Sequence, residues 1–199
     1  DAHPDLYLRS LAQRAERNRQ PARALEYYRR SARYADKFSQ AMVARMYQQG
    51  SGTAADPVMA YVWMDLAAER MYHDFLLLRE HYWARLDPSQ QAQAIARGQQ
   101  VYADYGDRVA KPRMEQALRD GRQRITGSRV GYVSSGLVVV QRRGSEADIR
   151  TPGSIVYDDR YWRAADYWCL QDNYWRPART PQVDVGVPAV VRDGEPGGD

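Results

Sequence analysis

The feature that most constrains this chain is a self-similarity at a spacing of 36 residues. Residues 20–32 (QPARALEYYRRSA) laid on residues 56–68 (DPVMAYVWMDLAA) align Pro21 with Pro57, Ala24 with Ala60 and Tyr27 with Trp63. Ser31 then meets Ala67, and Ala32 meets Ala68. A repeat of this length marks a solenoid, in which each unit is a small supersecondary element that stacks on its neighbours. The matched positions share one helical face, so the unit is a helix pair. Two antiparallel helices cannot bury their apolar faces alone, which is why successive pairs stack. Small residues such as Ala24, Ala41, Ala60 and Ala68 let backbones approach. Aromatics such as Tyr28, Tyr47 and Trp63 fill the wedges between them.

Helix grammar surrounds the repeat. Leu6, Leu8, Leu11, Ala12 and Ala15 form a first stripe, which residues 18–20 interrupt. Pro21 opens the second helix, where its missing N–H costs nothing. Ser39 is the expected cap of a third, and Gly50 and Gly52 end it with a tight return. Asp56-Pro57 opens a fourth helix, Asp74 is the expected cap of a fifth, and Asp87-Pro88-Ser89 opens a sixth, ending at Gly106. Residues 112–118 add a short last helix. Beyond about residue 125 glycines recur, and segments 129–133, 137–141 and 182–187 read as strands. An aromatic stretch over 157–175 carries three of the five tryptophans.

The stretch AMVARMYQQGSGTAADPVMAYVWMDLAA, residues 41–68, resembles the Sel-one-like repeat (SLR), a relative of the tetratricopeptide repeat. The matching residues are Ala41, Ala44, Met46-Tyr47, Gly50, Gly52, Asp56, Ala60, Trp63 and Ala67-Ala68. The resemblance covers one full repeat and parts of two neighbours, roughly residues 20–86. It departs after Leu86, where no second MY-x-x-G-x-G follows. It implies a protein-binding adaptor, often bacterial and in exported or envelope settings. A dedicated neutraliser of a secreted bacterial toxin, an immunity protein, is a second role it implies.

Composition narrows the partners. Apolar residues make up 44% and charged residues 27%, so a packed core is expected. The net charge of +4 comes from scattered arginines; Lys37 and Lys111 are the two lysines, and no basic block occurs. Phosphate binding needs a clustered basic stripe, so nucleic acid is not an expected partner. No apolar run reaches transmembrane length. Cys169 is alone, which leaves no intrachain disulfide. A start at Asp1 without methionine fits either a mature product after signal-peptide removal or a trimmed piece. Together with the resemblance it gives an expectation of a periplasmic or envelope location, with the cytoplasm as the alternative.

Motifs for catalysis are weak. His73 and His81 stand eight apart, not the four that a helical metal pair needs, and His3 sits in an end expected to fray. Residues 126–131 are glycine-rich but lack both phosphate-loop and dinucleotide signatures. Ser134-Ser135 lacks the glycines of a nucleophile elbow. Asp158, Asp159, Asp166 and Asp172 alternate with arginines and aromatics, which reads as salt links and a helix cap before it reads as acid–base chemistry. Tyr161, Ala165, Trp168 and Trp175 share a helical face and read as a wedge against the repeat helices, and Trp162, Trp168 or Trp175 is expected to dock on the face of the sixth helix that bears Ile95, Tyr102 and Tyr105.

These observations predict a mainly α fold: a short helical (SLR/TPR-like) repeat array over residues 1–122, a small β-containing unit over 125–192 packed on it, and a disordered tail at 193–199. The expected function is a non-enzymatic adaptor or scaffold, with no cofactor or metal. The partner is another protein, bound at polar positions of the first repeat helices: Arg23, Glu26, Arg30, Tyr34, Tyr61 and Asp65. A hydrolase with a carboxylate site in the C-terminal unit is the alternative from another class.

Overall fold

The computed structural model describes residues 3–126, 138–143, 146–152, 156 and 158–176. The chain runs α1 (Pro4–Arg17), α2 (Pro21–Ala32), α3 (Lys37–Gln49) and α4 (Pro57–Ala67). A 3-10 turn (Ala68–Arg70) leads to α5 (His73–Trp83), α6 (Pro88–Tyr105) and α7 (Asp107–Thr126). A strand pair follows, β1 (Val138–Arg143) and β2 (Glu146–Pro152), and then two helices, α8 (Asp159–Trp162) and α9 (Ala164–Trp175). The protein is a mostly helical repeat fold.

The 36-residue spacing is physically explicit. Pro21 and Pro57 each stand in the first turn of their helix. Ala24, Ala60, Ser31, Ala67, Ala32 and Ala68 are all buried where the helices meet. Trp63 is 1% exposed and meets the Tyr105 ring of α6 at 4.7 Å. The return between α3 and α4 depends on its glycines. Gly50 caps α3 in the left-handed region with φ 67°. Gly52, with φ 76°, lies so close to α2 that a Cβ would fall 2.6 Å from the Pro21 backbone. A side chain there is excluded twice, by conformation and by space. α5 and α6 both pack on α4, and α6 opens with Asp87-Pro88 as α4 opens with Asp56-Pro57. Asp87 and Gln90 complete a capping box.

Several expectations need correction. Asp36, not Ser39, caps α3: its carboxylate accepts from the Ser39 N–H at 3.2 Å. Asp74 caps nothing: it lies in the first turn of α5, whose cap position is Tyr72, two residues earlier. The short helix at 112–118 is the middle of α7, which holds Pro112 inside it and ends close to the boundary expected at 122–125. Residue 3 is not a frayed end: the His3 ring packs on Trp162 and Tyr167 at 5.0 and 5.6 Å.

A β-containing C-terminal unit is not supported. The described strands form one antiparallel hairpin, Val138 opposite Pro152, and a lone two-stranded ribbon has no core of its own. The aromatic residues expected to fill that core belong instead to α8 and α9, which lie on the helical array. The expected strand at 137–141 coincides with β1; those at 129–133 and 182–187, the 126–131 loop beyond Thr126, Ser134-Ser135 and the 193–199 tail lie outside the described residues.

Candidate protein-interaction groove

An apolar groove of about 400 Å³ runs between α3 and α5. On α3 it is lined by Phe38, Met42, Arg45 and Gln49, spaced as one helical face requires. On α5 it is lined by Phe75, Leu78 and Tyr82, spaced three and four apart, and Met64 of α4 also lines it. Trp175 of α9 borders the end nearest the starts of both helices, 4.8 Å from the Phe75 ring and 6.2 Å from Phe38. Leu78 is 41% exposed in the wall. Methionine and aromatic side chains make such a surface adaptable, since they repack around varied apolar partners. Arg45 lines the far end of the groove together with Tyr82.

α9 crosses the array through its side chains. Tyr167, fully buried, packs on Met114 and Leu118 of α7 and donates a hydrogen bond to the Asp5 carboxylate of α1. The Trp168 indole donates to Glu115 at 2.9 Å, and its ring lies under the cations of Arg70 and Lys111. Asp172 accepts from the Tyr72 hydroxyl and stands 3.7 Å from Arg70.

Beneath α9 lies a buried polar cluster. Lys37 donates to the Leu66 carbonyl at 2.9 Å and pairs with Glu69 at 2.8 Å and Asp107 at 3.1 Å. Arg70 grips both Asp107 oxygens, at 2.6 and 3.0 Å, and donates to the Ala35 carbonyl. Glu69 accepts the first N–H of α7 and so satisfies one of that helix's orphan donors. Burial alone would raise the Asp107 carboxyl, but Arg70 and Lys37 outweigh it and hold it at about 2. Burial lowers Lys37, and its two carboxylates only partly offset that. Under the other half of α9, burial and then the Asp36 charge push Asp5 up to about 6, against the Tyr167 hydrogen bond.

The six residues expected to bind a partner do not share one surface. Arg23 lies in a small groove with Tyr27 and Arg14. Glu26 and Arg30 pair at 3.7 Å on α2, beside Arg29, Arg33 and Tyr105. Tyr34 packs on the core of α7 and α9. Tyr61 packs tilted on Trp83 at 4.7 Å, and Asp65 accepts from the Tyr102 hydroxyl at 3.0 Å. The groove residues of α3 and α5 escaped the sequence reading because Phe38, Met42, Phe75 and Leu78 look like core. Their helical spacing is the same whether the face meets another helix or stays open.

The aspartates weighed for catalysis are held in separate ion pairs. Asp158 caps α8 and meets Arg160 at 2.7 Å; that arginine, by hydrogen bonding, keeps its carboxyl low. Asp159 pairs with Arg122 at 3.2 Å, Asp166 stands 3.6 Å from Arg163, and Asp172 faces Tyr72. Among the described residues no three His, Cys, Asp or Glu side chains converge on a metal position. His73 and His81 are exposed on α5. Among the described residues no helix is long and apolar enough to cross a membrane.

No protein-family model matches the sequence, and no curated protein matches it. Among solved structures, the chain is similar to a protective antigen present in uropathogenic Escherichia coli strains that displays an SLR fold. The match has 21% identity and a TM-score of 0.49, over 56% of this chain and 25% of that one. The chain therefore spans about a quarter of the length of the protein it matches.

Proposed function

We propose that this protein is a non-enzymatic adaptor of the Sel-one-like repeat type, which holds an apolar segment of another protein in the α3/α5 groove. The observation that carries the reading is the groove itself. It joins an open apolar wall at helical spacing to a rigid array behind it, which is how helix-in-groove recognition works. Phe38, Met42, Phe75, Leu78 and Tyr82 offer the aromatic and flexible apolar contacts that dominate binding energy at interfaces. The resemblance of residues 41–68 supports a bacterial envelope or periplasmic location, which fractionation of the producing cells tests.

Met42→Glu and Leu78→Glu place charge in the groove, and Ile95→Glu places it on an exposed position of α6 outside it. In affinity capture from the producing cells, the first two variants lose their partners while Ile95→Glu keeps them. Equal capture by all three, with unchanged melting temperatures, overturns the reading.

A further inference from the structure

We infer that the C-terminal half of α9 is an occupant held in cis, and that the partner is an amphipathic helix carrying an acidic residue three positions before an aromatic one. This rests on the groove reading above and names the chemistry that the groove accepts.

α9 is anchored unevenly. Its first half is built into the molecule: Tyr167 is fully buried against Met114 and Leu118 and bonded to Asp5. Its second half lies over the start of the groove by two residues on one helical face, Asp172 and Trp175. Asp172 meets the Tyr72 hydroxyl and the Arg70 guanidinium. Trp175 stacks on Tyr72 at 6.3 Å and Phe38 at 6.2 Å, and tilts onto Phe75 at 4.8 Å. Tyr174 beside it is 75% exposed, so this end of α9 is not enclosed by the fold.

The receptor side thus comprises a cationic and hydroxyl pair, Arg70 and Tyr72, next to an aromatic cup of Phe38, Tyr72 and Phe75. That arrangement reads a carboxylate and a flat ring one helical turn apart. The groove then continues past Trp175 toward Tyr82 and Arg45, whose guanidinium can meet an acid of the partner. A partner matching the cup must displace Trp175, and its apparent affinity falls by the fraction of time the cis segment occupies the cup.

The test uses the full chain and a fluorescent synthetic peptide of residues 164–176. The chain carrying D172A and W175A together has the Arg70/Tyr72 pair and the cup both vacated, and anisotropy should show about ten-fold tighter peptide binding than to the unsubstituted chain. The W175A and D172N chains should each gain a smaller factor. Peptides with D172A or W175A should lose the gain. A double variant that keeps its helical circular dichroism yet binds no tighter overturns the inference, as does equal binding of the peptide lacking tryptophan. If the double variant loses its helical signal, W175A decides alone, and no gain there overturns the inference. The two readings fail separately. Unchanged capture by Met42→Glu and Leu78→Glu removes the groove. Lost capture by those variants, with no peptide preference, removes only the cis occupant.

Discussion

At the scale of single residues, the molecule sets two buried carboxyls against each other. Asp107 is held at about 2 and Asp5 is raised to about 6. A depressed carboxyl stabilises the fold above its unfolded value near 4, and that contribution is lost as pH falls toward 2. A raised carboxyl does the opposite: its contribution is complete below about 4 and is lost as pH rises through about 6. The two windows do not coincide, so they can be separated. Over pH 4 to 6.5 the Asp5→Asn variant should lack a decline of roughly 3 kcal/mol that the unsubstituted chain shows. Urea melts at several pH values measure it. Parallel slopes for the two proteins would show that Asp5 ionises normally. Neither group was legible from the sequence. Asp5 looks like an ordinary acid in a first helical turn, and only burial beside Asp36 and Tyr167 makes it unusual.

At the scale of elements, the repeat was legible and its partners were not. Pro21, Pro57, Ala24, Ala60 and Trp63 carry a spacing whose only sensible meaning is stacked helix pairs, and the burial of all but the prolines agrees. The helical face of Tyr161, Ala165, Trp168 and Trp175 and its packing on the array were legible, but the stretch was assigned to a β-containing unit, and where α9 docks is decided by a contact across 100 residues, Tyr72 with Asp172. The join between array and cap is Arg70, which ties the turn after α4 to the start of α7 and to α9. Removing Arg70 takes away the bidentate grip on a largely buried carboxylate and leaves Asp107 to Lys37 and the more distant Lys111. Arg70→Met should therefore cost about 3 kcal/mol in a denaturant melt. Arg70→Lys should recover little of it, because an ammonium cannot grip both Asp107 oxygens. Full recovery by lysine would show that the charge matters and the fork does not.

At the scale of the whole molecule, α9 makes the array and the C-terminal segment one cooperative body. Docking was expected on the α6 face bearing Ile95, Tyr102 and Tyr105. It occurs instead on α1, α3, α5 and α7, while Ile95 is 64% exposed. Tyr102 and Tyr105 are already engaged, with Asp65 and Trp63. The intact chain should melt in a single transition, and residues 1–126 alone should melt earlier, having lost the cover over Phe38, Tyr72 and Phe75. Two transitions in the intact chain, each matching an isolated fragment, would contradict the docking.

The same exposed wall that α9 leaves open is where the account locates function, and site-specific photo-crosslinking reads it directly. A photoreactive phenylalanine analogue replaces Leu78 in the groove, or Ile95 outside it, in the cells that make the protein. A discrete crosslinked partner is expected from position 78, none from position 95, and loss of the crosslink when Met42→Glu is added. Equal crosslinking from both positions, or a crosslink from 95 alone, would contradict it.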